Sequence, residues 1–181
     1  MKRLVFLFFL ASVLTVSVFA QMADPVHFTA SMKMLGGDEA EIVFSAKIDK
    51  GWHLYSTDLG SDGPTQATFN VNKMSGAEPV GKLRPVGKEI AQFDEMFGMK
   101  LRFFENSGSF VQKIKFTKAE YTIDCYLEYG ACNDEMCMPP SQVAFVKSGK
   151  SPVIGKSDDV KADDKVDDAL KQDTVVAEKQ D

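Results

Sequence analysis

Cysteine and histidine are scarce in this chain, with three of the first and two of the second among 181 residues. A structural zinc site takes four such ligands. Two thiolates would therefore need two more, and the only histidines are His27 and His53. A cysteine hydrolase is no better served, because it needs a general base and an oxyanion hole. His53 follows Trp52 in an aromatic stretch with only candidate acids for partners, and His27 reads as a solvated strand residue. Basic residues are outnumbered as well: 21 Lys and Arg against 26 Asp and Glu leave a formal charge of −5. An acidic chain without a basic stripe makes no electrostatic footprint for nucleic acid. Past residue 20 no apolar run approaches the roughly 20 residues of a spanning helix. Helical periodicity is missing too, so a thioredoxin-type α/β fold lacks the amphipathic crossover helices it needs.

What the N-terminus does have is an export signal. Lys2 and Arg3 begin it, an apolar run extends from Leu4 to Phe19, and Val18-Phe19-Ala20 offers a small-residue cleavage site before Gln21. This is the pattern of a secretory leader. A membrane anchor is the competing reading, but about 16 apolar residues, interrupted by Ser12, Thr15 and Ser17, fall short of a span. No cysteine follows the run, which argues against a lipid anchor. Cleavage after Ala20 would take the formal charge from −5 to −7 and leave an exported chain with no later segment apolar enough to cross a membrane. Its other end changes character. Ser148 to Asp181 interleaves Asp158-Asp159, Asp163-Asp164 and Asp167-Asp168 with lysines and has no aromatic residue. Such a segment cannot bury enough apolar surface to offset its ordering entropy. The expected organisation is a signal peptide at 1–20, one domain at 21–147 and an acidic flexible tail at 148–181. A short amphipathic helix over Val160 to Leu170 is the alternative for the tail.

Between these ends the pattern has mostly period two, which favours strands. His27 to Met34 alternates, Leu35-Gly36-Gly37-Asp38 offers a turn, and Ala40 to Ile48 returns with Ile42, Phe44, Ala46 and Ile48 on one face. That is a hairpin signature. Gly51 to Tyr55 is a short aromatic strand followed by a loop at Gly60 to Pro64. Gln66–Val71, Val80–Leu83, Lys100–Phe104 and Ser109–Phe116 read as further strands. Tyr121 to Tyr129 alternates with Ile123, Cys125, Leu127 and Tyr129 together, and Gln142 to Val146 closes the series. Short strands at this spacing predict an all-β antiparallel sandwich.

The chemistry concentrates in Cys132-Asn133-Asp134-Glu135-Met136-Cys137-Met138-Pro139-Pro140. Of the three single pairings open to three cysteines, Cys132 with Cys137 is favoured because the chain between them is short and carries no strand pattern. Cys125 shares a strand face with Ile123 and Leu127 and reads as a small buried core residue. A ring closed by four residues constrains the unfolded chain less than a 15-residue loop, whose bridge is worth roughly 3 kcal/mol. Stapling is a weak reason to keep the pair, and exchange chemistry, which needs only an accessible sulfur and a resolving thiol, is the stronger one. Asp134 and Glu135 disfavour a thiolate by like-charge proximity, so the dithiol is expected to depend on a docked partner for activation. Two alternatives stay open: a non-redox binding module with a structural disulfide, and a periplasmic Cu(I) carrier using the soft thioethers of Met96, Met99, Met136 and Met138.

These residues resemble a known family. The cysteine motif, preceded by Tyr126-Leu-Glu-Tyr-Gly130, is similar to the active-site hairpin of the N-terminal domain of the disulfide interchange protein DsbD. Gly51-Trp-His-Leu-Tyr55 resembles the family's aromatic strand, and Phe93-Asp-Glu-Met-Phe-Gly98 resembles its cap loop. The likeness spans about residues 25 to 147. It implies an immunoglobulin-like β-sandwich with the cysteine pair on an edge hairpin and no cofactor, since the electrons travel in the cysteines. It implies a part in a protein-disulfide reductase relay, with a thioredoxin-like electron donor and periplasmic client thiol oxidoreductases such as disulfide isomerases and cytochrome c maturation thioredoxins. By motif, Cys137 would form mixed disulfides and Cys132 would resolve them. Asp94, Glu95, Met96, Phe97 and Gly98 would form the cap, and His53, Tyr55, Pro139 and Pro140 would flank the pair. The family protein usually continues into a multi-span membrane domain and a thioredoxin-like domain, neither of which is in this sequence, so the chain is either a standalone version using separate partners or a truncated product. Cys125 is a thiol that the family pattern does not call for.

Overall fold

Residues 24–95 and 97–151 are described by the computed structural model, and among them there is no helix. The leader, Met96 and the tail beyond Ser151 lie outside the described residues. The eleven strands are β1 (Val26–Gly36), β2 (Glu39–Ile48), β3 (His53–Tyr55), β4 (Thr68–Ser75), β5 (Ala77–Val86), β6 (Ile90–Asp94), β7 (Met99–Phe104), β8 (Ser107–Phe116), β9 (Glu120–Tyr129), β10 (Ala131–Cys132) and β11 (Ser141–Lys150). They form three antiparallel sheets, ordered β1-β2-β8-β5, β11-β9-β4 and β10-β3-β7-β6.

The first two sheets make the immunoglobulin-like sandwich. Alternation drives it: Ala40, Ile42, Phe44, Ala46 and Ile48 of β2 face Tyr121, Ile123, Cys125, Leu127 and Tyr129 of β9 within one buried core. Rings from opposite sheets meet there, Phe28 with Tyr129 and Phe116 with Tyr121 at 4.8 Å, and Phe44 with Phe69 at 6.5 Å. Phe44, Phe104, Phe110 and Phe116 are fully buried, each worth about 1.5–3 kcal/mol of transfer energy. Gly76 joins β4 to β5 with φ +70°, and an added Cβ would lie 2.0 Å from the Glu120 carbonyl oxygen, so no other residue fits this corner.

The third sheet positions the site, and its strands serve two cores at once. In register, Leu54 opposes Phe104 and Tyr55 opposes Phe103. Leu54 and Phe104 point into the sandwich core. Tyr55 and Phe103 turn the other way and build a second cluster with Leu59, Leu101 and Cys132. Buried Ser56 donates its hydroxyl hydrogen to Glu89, just before β6, and Arg102 of β7 donates from Nη2 to the Thr57 carbonyl at 2.5 Å, tying the segment after β3 to both.

Several boundaries differ from the sequence reading, β4 among them, which runs from Thr68 to Ser75 rather than Gln66 to Val71. β5 runs from Ala77 to Val86 rather than Val80 to Leu83, with a register shift between Val80 and Arg84. Buried Gln112 spans the shift, donating from Nε2 to the carbonyls of Val80 and Lys113. Phe93 and Asp94, read as part of a loop, end β6, and only Glu95, Phe97 and Gly98 of the described cap residues lie in the turn to β7. Ser148, Gly149 and Lys150, assigned by composition to the tail, pair with Thr122, Tyr121 and Glu120. An exposed edge strand needs no apolar signature, and Gly149 fits because Tyr121 Oη would lie 2.9 Å from any Cβ there.

Candidate redox site

Cys132 and Cys137 form a disulfide with their Cα atoms 4.0 Å apart. The two sulfurs' residues live in different surroundings. Cys132, on edge strand β10, is 3% exposed and belongs to the second cluster with Tyr55, Leu59, Leu101 and Phe103. Cys137, beyond the turn, is exposed. Gly130 and Ala131 deliver Cys132 to this position: the Gly130 carbonyl accepts the Tyr55 N–H at 3.1 Å, and Cys132 is opposite His53 in the β10–β3 register. After Cys137 the Met138 N–H donates to the Ala131 carbonyl at 2.9 Å, holding the return strand. Pro139 and Pro140 follow, both exposed, and the Pro139 carbonyl accepts the Ser141 hydroxyl at 3.1 Å.

The cap is a β-hairpin turn anchored from below. Asp94 Oδ1 accepts the Phe97 N–H at 3.2 Å, closing the turn, while its Oδ2 accepts from the Tyr55 hydroxyl at 3.4 Å. Phe97 meets Tyr55 edge-on at 6.1 Å and packs, with Ile90 and Met99, against the cluster that buries Cys132. Burial, with the Asp94 carboxylate beside it, pushes the Tyr55 hydroxyl well above its ordinary pKa of 10.0, so Tyr55 stays a neutral donor. Glu95 and Gly98 are exposed, Gly98 with φ +64°. Phe93 is 61% exposed and takes no part in the core.

On the same face of β3 as Tyr55, His53 stacks on Phe103 at 4.1 Å and its Nε2 lies 3.1 Å from Glu105 Oε1. A groove of about 390 Å³ runs between these residues and the cap, lined by His53, Tyr55, Asp94, Glu95, Phe103 and Asn133 among others. The structure thus brings His53, Tyr55, Asp94, Glu95 and Phe97 to one end of the molecule beside the cysteine pair, while Met96 is outside the described residues. Asn133, Phe103 and Glu105 were not singled out from sequence. Asn133 had a signal, since asparagine bonds its own backbone two residues on in tight turns. Phe103 and Glu105 needed the β3–β7 register.

Cys125 is free and wholly buried, its thiol donating to the Phe145 carbonyl at 3.6 Å. Burial, reinforced by Asp124, pushes that thiol up to about 12, which keeps it protonated and unreactive. Of the four methionines considered as thioether ligands, Met99 packs against the Cys132 cluster and Met136 is 50% exposed. Among the described residues no group of three or more His, Cys, Asp or Glu is disposed to hold a metal ion.

Comparison with known proteins bears on this arrangement. The family described as "Thiol:disulfide interchange protein DsbD, N-terminal" matches residues 21–148. No curated protein matches the chain. Among solved structures, the N-terminal periplasmic domain of ScsB from Proteus mirabilis superposes with a TM-score of 0.50 at 13% identity, over 68% of this chain and 46% of that one. This chain therefore spans less than half the length of that relative. The Neisseria meningitidis DsbD N-terminal domain in the reduced form, and the same domain in complex with the PilB N-terminal domain, give TM-scores of 0.40 and 0.41. Both are 17% identical over 68% of this chain and cover 86% and 84% of the matched chains. With three motifs in order, the sandwich, and a family match over most of its length, this chain belongs to the family of DsbD N-terminal domains.

Proposed function

We propose that the chain is a periplasmic thiol–disulfide exchange domain that takes reducing equivalents from a thioredoxin-like donor and passes them to client protein disulfides through Cys132 and Cys137. The observation that carries this reading is the asymmetry of the pair, one sulfur's residue open to solvent and the other buried under the cap hairpin. A donor thiolate attacks Cys137 Sγ, the Cys132–Cys137 bond breaks, and Cys132 leaves as a thiolate that takes up a proton. The donor's second thiol then attacks the donor sulfur of the mixed disulfide and releases Cys137. Two electrons have entered the domain. In the outward half, the Cys137 thiolate attacks a client disulfide and Cys132 attacks Cys137 in turn, re-forming the ring and releasing the reduced client.

Family membership supports the donor and client classes. The leader supports export after Ala20 and a periplasmic working place. Asp94, Glu95, Phe97 and Gly98, with Met96, serve as a cap that a partner surface displaces, which is gating by a mobile loop. His53, Tyr55, Pro139 and Pro140 frame the pair. The test is a trap: with the full chain exported into a bacterial periplasm, Cys132→Ser accumulates mixed disulfides through Cys137, and Cys137→Ser accumulates none. The opposite pattern on non-reducing gels exchanges the two roles, and no adduct with either variant ends the relay reading.

A further inference from the structure

The turn between the two cysteines is held by one residue. Asn133 Oδ1 accepts the N–H groups of Glu135 at 2.9 Å and Met136 at 2.8 Å, and the Asn133 N–H donates to the Met136 carbonyl at 2.9 Å. Cys132 and Cys137 sit at the two ends of this turn as an antiparallel bridge pair. Asp134, Glu135 and Met136 are all exposed, so the turn has no apolar packing of its own to hold its shape. Within the turn its order rests on hydrogen bonds that centre on Asn133, above the Met138 N–H to Ala131 carbonyl bond at its base.

That order matters most when the covalent link is absent. While the disulfide is closed, the ring itself holds Cys132 beside Cys137. Once it opens, four intervening residues regain their freedom unless something else retains them. The chance that Cys132 meets the sulfur of Cys137 is then an effective concentration set by the stiffness of the connection. We infer that Asn133 is a positioning residue for exchange, keeping Cys132 within reach of Cys137 after the bond between them has opened. The inference rests on the relay reading for its biological use, though not for its physics. In the step concerned, the Cys132 thiolate attacks Cys137 Sγ of a mixed disulfide, the bond to the partner sulfur breaks, and the partner leaves as a thiolate. Asn133 touches neither sulfur's chemistry and acts through the turn.

The consequence has a sign. Without the side-chain acceptor, the reduced form gains freedom that the oxidised form cannot share, so the equilibrium moves toward the dithiol. Losing two such hydrogen bonds, partly replaced by water, is expected to lower the equilibrium constant for ring closure about tenfold. For a two-electron couple that is a midpoint about 30 mV less negative. Release of a thiol from a mixed disulfide on Cys137 slows by a similar factor.

The experiment equilibrates the full exported chain with dithiothreitol and glutathione buffers, comparing wild type, Asn133→Ala and Asn133→Ser, with thermal unfolding to monitor the fold. A second readout is the lifetime of the glutathione adduct on Cys137. The ordering wild type, then Ser, then Ala in ring-closure constant supports the inference, because a serine hydroxyl makes the same turn contact more weakly. A ring-closure constant and adduct lifetime in Asn133→Ala within about twofold of wild type overturn it. If Asn133→Ala does not fold, Asn133→Ser decides alone, a measurable fall supporting the inference and no change refuting it. The wild type failing to exchange with any thioredoxin-like donor, alongside the expected Asn133 series, removes the relay reading and leaves the positioning role standing.

Discussion

Truncating Phe97 to alanine is expected to unshield Cys132 while leaving Cys137 as it was. The Phe97 ring meets Tyr55 edge-on and packs on the cluster containing Cys132. Such an aromatic pair contributes about 0.5–1.5 kcal/mol beyond its area, and half-burying a phenyl ring adds about 1 kcal/mol. The Tyr55–Asp94 hydrogen bond, long at 3.4 Å, belongs near the weak end of the range, ~0.5 kcal/mol. A cap closed by about 2 kcal/mol leaves Cys132 reachable in roughly one molecule in thirty. Removing the ring forfeits most of that, so alkylation of Cys132 in the reduced protein should quicken about ten- to thirtyfold. Exposed Cys137 needs no opening and should change by less than about twofold. The assay labels reduced protein with substoichiometric iodoacetamide, unfolds it and cleaves on the amino side of Asp134, which separates the two cysteines for weighing. A Cys137-to-Cys132 labelling ratio that is the same in wild type and Phe97→Ala refutes the reasoning, because the cap would then not be what covers Cys132.

Two further outcomes follow from the packing. Cys125 has its pKa raised from 9.0 to about 12 in the fold, so its contribution to stability is complete below pH 9.0 and is lost as pH rises toward 12. Relative to wild type, Cys125→Ala should therefore lose about 2–3 kcal/mol less between pH 8 and about pH 11 in urea unfolding, and parallel pH profiles would contradict this. Gly130→Ala would put a Cβ 2.5 Å from the Thr65 carbonyl oxygen. Backbone cannot yield there, so a cost of about 1–3 kcal/mol is expected, read as a lowered Tm together with faster labelling of Cys132 as β10 shifts. An unchanged Tm would show that this approach is not tight.

The sandwich was legible wherever one face of a strand is buried and the other wet. β2 and β9 alternate cleanly, and the same alternation puts Cys125 on a buried face. β5 was read short because Pro79, Gly81 and Pro85 break its pattern, and its register shift is supported by Gln112 from a neighbouring strand, a contact no local window contains. β6 was missed because its exposed Phe93 and acidic Asp94 look like loop, and hairpin pairing to Lys100 and Met99 is a non-local fact. At the site, spacing alone was enough to favour Cys132–Cys137. The unequal exposure of the two cysteine residues was not readable. It arises because β10 docks on β3 while the following turn projects outward, and only the assembled third sheet shows that.

The central claim is that this disulfide is a working one. Its most direct test is a redox titration of the full exported chain against a thioredoxin-like domain, following the Cys132–Cys137 bond by alkylation. The account predicts a midpoint above about −300 mV and exchange of electrons between the two proteins. A midpoint below about −300 mV, with the bond untouched by the thioredoxin-like domain, would mark it as a structural brace and contradict the account.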